Sequence, residues 1–103
     1  MLFRSSNGTW AWTMQIGSNN DDVVTKMLLD TSGGIIIAGE TLGGLDSYTN
    51  AGGRDIFVIK LNPSGSVQWT MQRGSSGDEY ASSLQLDSAD TIYLAGEIGR
   101  AHV

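Results

Sequence analysis

The chain has no cysteine and a single proline, and basic residues are few. Without cysteine it can form neither a disulfide framework nor a thiolate metal site. Six Lys and Arg stand against eleven Asp and Glu, which gives a net charge of −5, and the basic residues form no cluster. Nucleic acid and anionic membrane surfaces bind through concentrated positive charge, so we expect neither as a partner.

Long apolar runs are also missing. No stretch approaches the roughly 20 apolar residues of a membrane-spanning helix, and the first ten residues lack the apolar region of a signal peptide. Short aliphatic and aromatic runs instead alternate with Gly, Ser, Asn and Asp, and glycine is abundant at 14 residues. This pattern predicts an all-β chain of short strands joined by turns.

The tetrapeptide Trp-Thr-Met-Gln occurs twice, starting at Trp12 and at Trp69, 57 positions apart. The same offset, which we call the repeat length, aligns further segments, among them 17–18 with 74–75, 29–30 with 86–87 and 38–40 with 95–97. Repetition of this kind is typical of proteins that stack equivalent supersecondary units. We therefore predict the end of a preceding unit at 1–17, one complete unit at 18–74 and the first half of the next unit at 75–97.

The match ends at Glu97, because residues 98–103 share nothing with the corresponding 41–46. One back-translation of residues 97–103 reads as a common sequencing-library adapter. We therefore interpret 98–103 as a non-native tail. On this interpretation His102, the only histidine, has no functional role.

Four strands are predicted within the complete unit, at 23–30, 34–41, 55–61 and 66–72. The unbroken apolar runs at 35–37 and 56–59 are typical of strands covered on both faces. In the fourth strand Trp69 and Met71 alternate with Thr70 and Gln72, so this strand is expected to be more exposed, with Gln72 on its polar side. Turn residues at 31–33 and 62–65 predict tight hairpins.

Four antiparallel strands per repeat match the anatomy of a β-propeller blade. The predicted fold is therefore an all-β propeller fragment, with four-stranded antiparallel blades that recur once per repeat length. The residues expected in the core of the repeat are Trp12, Trp69, Met14, Met71, Phe57, Leu29 and Leu86. The two tryptophans are expected to pack between neighbouring blades, because a buried Trp contributes a large apolar area.

Residues 55–65, Asp-Ile-Phe-Val-Ile-Lys-Leu-Asn-Pro-Ser-Gly, follow Gly52-Gly53 and resemble the signature of the seven-bladed β-propeller repeat family of bacterial proteins. Segments 74–81 and 29–39 are similar to two further motifs of that family, so the resemblance covers residues 8–97. It implies an extracellular, cell-surface or periplasmic protein, commonly large and multidomain. It transfers no catalytic or binding residues. The chain departs from the family pattern at 18–22, Ser-Asn-Asn-Asp-Asp, where asparagine stands in place of the usual glycine.

Acidic residues and one tyrosine lie in connections that we predict to meet at one end of the blades. They are Asp21, Asp22, Asp46, Tyr48, Asp78 and Glu79. These loops are candidates for binding a cation, a protein or a glycan. The alternative is that Asp21 and Asp78 cap turns, which their recurrence in each unit favours. The sequence has no EF-hand loop, so we expect no cofactor, with calcium as the alternative.

Candidate catalytic groups are scarce, because no nucleophile–base pair and no phosphate-binding loop is recognisable. We predict a non-enzymatic scaffold or binding segment of a larger bacterial protein, whose partners are further blades. One alternative is a quinone-dependent oxidoreductase blade, because residues 62–69 faintly resemble the motif of such blades. Another is a small lectin-like propeller closed by oligomerisation. The chain by itself is expected to self-associate through uncovered sheet faces.

Overall fold

The computed structural model describes residues 2–4, 7, 12–14, 17, 21–45, 49–50, 52–75 and 77–100 of the chain. Its strands are β1 (Leu2–Arg4), β2 (Trp12–Met14), β3 (Asp22–Leu29), β4 (Ile35–Thr41), β5 (Asp55–Leu61), β6 (Val67–Arg73), β7 (Asp78–Leu86) and β8 (Ile92–Arg100). Every regular element in these ranges is a strand, and every pairing is antiparallel. The described part of the chain is therefore all-β, as its short apolar runs predict.

The central sheet contains β3, β4, β5 and β6 in chain order, so each strand pairs with the one before it. These are the four strands predicted for the complete unit, and each begins and ends within one residue of the expected bounds. β1 with β2, and β7 with β8, form separate two-stranded sheets. β8 reaches Arg100, which pairs with Asp78, so this strand continues beyond Glu97, where the sequence match ends.

Three tight hairpins are closed by the same pair of side-chain hydrogen bonds. In each hairpin an Asp or Asn Oδ1 accepts the backbone N–H groups two and four residues further on. The donors lie 2.9 and 2.7 Å from Asp30, 3.0 and 2.9 Å from Asn62, and 2.9 and 3.0 Å from Asp87. The third residue after the acceptor has a positive φ, 84° at Gly33, 91° at Gly65 and 62° at Asp90. Glycine reaches this conformation at little cost, and so it supplies two of the three turns.

Asp90 occupies the position that glycine holds in the other two hairpins. Aspartate is among the few non-glycine residues that adopt the left-handed region. Its carboxylate binds the neighbouring hairpin: Oδ1 accepts the Thr31 backbone N–H at 3.1 Å, and Oδ2 accepts the Thr31 hydroxyl at 2.5 Å. Asp90 therefore connects the β7–β8 hairpin to the β3–β4 hairpin.

Acidification is expected to weaken the hairpins that Asp30 and Asp87 close. Backbone hydrogen bonds from Gly34 to Asp30, and from Thr91 to Asp87, hold the pKa of each carboxyl below its ordinary value of 3.8. A carboxyl with a lowered pKa stabilises the fold above its unfolded pKa. That contribution disappears as the pH falls through the lower folded value. We therefore expect these two residues to add to the loss of stability below about pH 4.

Asn62 provides the control for this prediction, because its amide oxygen makes the same two hydrogen bonds without titrating. The double variant Asp30→Asn, Asp87→Asn is expected to show a smaller fall in melting midpoint than the wild type between about pH 5 and pH 3. The variant also loses the ion pair between Asp30 and Lys60, at 3.5 Å, which lowers its melting midpoint at neutral pH. For this reason the quantity compared is the change in melting midpoint with pH, and not the midpoint itself. Equal changes in thermal melts followed by circular dichroism would contradict the prediction.

β3 and β7 each contain a bulge, at positions separated by one repeat length. The register shifts between Val24 and Lys26 in β3 and, correspondingly, between Ala81 and Ser83 in β7. The extra residue carries a hydroxyl in both strands and donates it across the hairpin. Thr25 Oγ1 lies 3.2 Å from the Ala38 carbonyl oxygen, and Ser82 Oγ lies 3.1 Å from that of Ala95.

Glycine faces each bulge on the partner strand. A Cβ at Gly39 would collide with the carbonyl oxygen of Val23, and a Cβ at Gly96 would collide with that of Tyr80. Only glycine permits the backbones to approach this closely. The recurrence of Ala-Gly-Glu in the sequence therefore has a local steric cause.

The central sheet is buried on both faces in its middle strands. Face A is the face that carries Ile35, Ile37, Phe57, Ile59 and Leu61, and Leu45 joins that cluster. Face B is the opposite face, which carries Ile36, Ala38 and Val58 and packs against Leu84 of β7. Five further apolar residues of the central sheet and the β7–β8 hairpin complete the contact on face B: Leu28, Met71, Leu86, Ile92 and Leu94. The central sheet and the β7–β8 hairpin thus pack face to face, as in a small β-sandwich.

The predicted core of the repeat is only partly a core in this chain. Phe57 is buried, and Met71 and Leu86 are half-buried against face B. Leu29 and Trp69, in contrast, are 66% and 40% exposed. They lie on β3 and β6, the outer strands of the central sheet, so their burial between neighbouring units stays a prediction. The side chains of Trp12 and Met14 lie outside the described residues, and tryptophan packing between blades stays a prediction.

Candidate functional site: the loop end of the sheets

The candidate residues that the structure describes lie at one end of the molecule. We call it the loop end, defined by the first residues of β3, β5 and β7: Asp22, Asp55 and Asp78. Thr41, the last residue of β4, pairs with both Asp22 and Asp55. The three hairpins with tight turns lie at the opposite end. This arrangement follows from antiparallel pairing in chain order, and the loop end is where the long connection 42–54 begins and ends.

Gln72 organises the long connection from inside the sheet. It is buried on face A, where it pairs with Phe57. Its Oε1 accepts the Leu45 backbone N–H at 2.9 Å, and its Nε2 donates to the Gly43 carbonyl oxygen at 2.8 Å and to Asp55 Oδ2 at 3.0 Å. Gln72 lies on the polar side of β6, as the alternation predicts. It is nevertheless buried there, because residues 43–45 fold over it.

Asp22 fixes the start of the same connection. The Thr41 hydroxyl donates to Asp22 Oδ1 and accepts the Gly43 backbone N–H, the latter at 3.0 Å. The Leu42 backbone N–H donates to the Asp21 carbonyl oxygen at 3.0 Å, while the Asp21 side chain is exposed. Asp22 therefore stabilises the exit of β4, and Asp21 is the member of this pair whose side chain faces solvent.

Asp78 and Glu79 hold the segment that links the central sheet to β7. Both are buried, at 5% and 1% exposure. Asp78 Oδ1 accepts the Arg54 backbone N–H at 2.7 Å, and Glu79 Oε1 accepts the Ser75 backbone N–H at 2.8 Å. The Glu79 backbone N–H also donates to the Arg54 carbonyl oxygen at 2.7 Å. Carboxylates that cap loops make side-chain to backbone contacts of this kind. For Asp78, capping is the alternative to ligand binding that the sequence analysis gave.

A pocket of about 460 Å³ opens at the loop end, between the last residues of β6 and the β7–β8 hairpin. Its polar groups come from Thr49, Asp55, Gln72, Arg73 and Glu79, and Leu94 is one of its apolar residues. The Arg73 side chain is exposed, whereas both carboxylates are buried. Its described lining contains a threonine hydroxyl and two carboxylates, but no histidine, cysteine or lysine.

The structure separates the predicted site residues into two groups. Asp21 and Asp22 lie at the β4 exit, whereas Asp78 and Glu79, the first two residues of β7, hold the link that precedes that strand. Asp46 and Tyr48 lie outside the described residues. Within the described ranges, no three His, Cys, Asp or Glu side chains are placed to hold a metal ion. Sequence reasoning missed Gln72, although its presence in both Trp-Thr-Met-Gln strings was an available signal.

Comparison of the chain with protein-family models and with curated proteins gives no match. In the ranges that the structure describes, no helix has the length and apolarity needed to cross a membrane.

Proposed function

We propose that the chain is a segment of a β-propeller that acts as a non-enzymatic scaffold or binding surface within a larger protein. The observation that carries this proposal is the way the β7–β8 hairpin packs. Leu84 and Leu94 pair with each other one repeat length after the pair Met27 and Ile37. Met27 and Ile37 lie on face A, and yet Leu84 and Leu94 contact face B. We call a sheet surface type A or type B when its residues correspond to those of face A or face B. The β7–β8 hairpin therefore stacks a surface of type A on face B of the central sheet.

Stacking of this kind can continue from one unit to the next. Each unit offers both faces, so a series of equivalent units buries a continuous set of interfaces. A constant rotation between units closes such a series into a ring, which is the architecture of a propeller. The shared bulge and the shared hairpin hydrogen bonds support equivalence between the complete unit and the β7–β8 hairpin of the next one. The Asp90–Thr31 contact joins the two at their turns.

The binding part of the proposal rests on the loop end. Buried Gln72, Asp55 and Thr41 hold the start of the connection 42–54, so its surface is presented from a rigid base. Loops on a rigid scaffold are the usual place for binding residues. The proposed ligand is a protein or a glycan that contacts this connection and exposed Asp21. The proposed role requires no cofactor, and a rise in melting midpoint on adding calcium would overturn that point.

Tandem proteins built from copies of residues 18–74 test the propeller. Chains with about 4–8 copies are expected to give ring-shaped particles in negative-stain electron microscopy and a sharp gain in melting midpoint at the closing number. The matched control carries Leu29→Asp in every copy, because Leu29 is 66% exposed within its own unit but corresponds to half-buried Leu86. The control units should fold and fail to close. A midpoint that rises smoothly without rings would indicate an open stack and contradict the proposal.

A further inference from the structure

The edge strand β3 leaves a row of apolar side chains open on face A. Val24, Met27 and Leu29 are 53%, 53% and 66% exposed. They pair with Gly39, Ile37 and Ile35, and the two isoleucines belong to the buried cluster of face A. The open row therefore continues a buried apolar surface, and it is not a set of scattered surface residues.

The corresponding row on β7 is covered. Ala81, Leu84 and Leu86 stand one repeat length after Val24, Met27 and Leu29. Ala81 and Leu84 are 8% and 3% exposed, and Leu86 packs against the same cluster as Leu84. The rows on β3 and β7 have the same register around the same bulge. The surface that covers the β7 row therefore indicates what kind of surface could cover the open row on β3. That covering surface is a sheet face of type B.

The chain offers a second face of type B on the outer side of its β7–β8 hairpin. Tyr93 and Ala95 there correspond to Ile36 and Ala38 of face B, and Tyr80 corresponds to Val23. Tyr93 is 57% exposed and Tyr80 is 37% exposed. Tyrosine supplies a large contact area with little side-chain entropy to lose, which suits an interface. The chain thus holds both halves of the interface that already joins its own two sheets.

We infer that face A of one copy, at Val24, Met27 and Leu29, binds the outer side of the β7–β8 hairpin of a second copy. The contact is head-to-tail, because the two surfaces differ, and it leaves one open surface of each kind on every assembly that does not close. The inference goes beyond the proposed scaffold role, since it requires only the match between β3 and β7 and holds for an open stack as well as for a ring.

Sedimentation velocity over a range of protein concentrations tests the association. The wild type is expected to show a mass that increases with concentration in multiples of the monomer. Met27→Asp on face A and Tyr93→Asp on the hairpin should each weaken self-association by about a hundredfold, because each places a charge in the contact. Val23→Asp is the matched control, an exposed apolar residue of the same strand on face B, and it should leave the association unchanged.

Mixing the two variants separates a specific contact from general stickiness. The Met27→Asp protein retains an intact hairpin surface, and the Tyr93→Asp protein retains an intact face A. An equimolar mixture is expected to form a one-to-one complex and nothing larger. If Met27→Asp unfolds the chain, Leu29→Asp replaces it at a more exposed position. A wild type that stays monomeric, variants that associate as strongly as the wild type, or a mixture without a complex would each overturn the inference.

Discussion

Replacing Gly39 with alanine is expected to lower the free energy of unfolding by about 3 kcal/mol, the upper part of the usual range for overpacked cores. Gly39 is buried in β4 opposite the bulge of β3. The added Cβ would collide with the Val23 carbonyl oxygen and would lie 3.0 Å from the Phe57 ring. The first neighbour is backbone, and the second is a ring with 2% exposure inside the face A cluster. Neither can move without disturbing the sheet.

Urea unfolding followed by tryptophan fluorescence measures this effect. Gly44→Ala is the control, because Gly44 is exposed in the connection after β4, and a surface substitution of this kind changes stability by about 0.5 kcal/mol or less. Gly96→Ala should open the β7–β8 hairpin for the same steric reason. Equal unfolding midpoints for Gly39→Ala and Gly44→Ala would mean that the bulge gives way easily, and the steric account of Ala-Gly-Glu would fail.

Replacing Leu84 with alanine is expected to cost about 2–5 kcal/mol, the range for a buried leucine. Leu84 is 3% exposed and belongs to the cluster that joins β7 to face B. Its removal leaves a cavity between two sheets, and few other residues of the β7–β8 hairpin are buried as deeply. The hairpin should therefore separate from the central sheet before the central sheet itself unfolds.

Met27→Ala is the matched control, because Met27 occupies the same place in β3 and is 53% exposed. At concentrations where the chain is monomeric, this variant should lose about 0.5 kcal/mol or less. Hydrogen exchange should show faster exchange in β7 and β8 for Leu84→Ala alone. Similar losses for both variants would mean that β7 does not pack more tightly than β3, which removes the basis for the face A to face B stacking.

The strands and turns of the central sheet were predictable because their causes are local. Alternation and unbroken apolar runs fix where strands lie, and Asp30, Asn62 and their glycines fix the hairpins through hydrogen bonds between close neighbours in the chain. The role of Gln72 was not predictable in this way. Alternation in β6 puts Gln72 opposite Met71, but whether that side is wet or buried depends on residues 43–45, which reach it from a distant part of the chain.

The candidate site shows the same division. The positions of Asp22 and Asp78 at the loop end follow from the strand count and antiparallel order, and both can be read from the sequence. Their roles do not follow, because a carboxylate at a strand end serves equally as a turn cap or as a ligand. The choice depends on which backbone N–H groups surround it, and Asp78 receives that of Arg54, the last residue of the long connection and 24 positions earlier in the chain.

By itself, the sequence of this protein determined its all-β class, the bounds of the four central strands to within one residue, the turn chemistry and the constant spacing between matching segments. Tertiary structure alone decided which matching positions are covered. Met27 and Leu84 have the same local pattern, yet one is exposed and the other buried, because only the second faces another sheet. Burial depends on what lies about 10 Å away in space, the distance between packed sheets, and no pattern of neighbours along the chain contains that information.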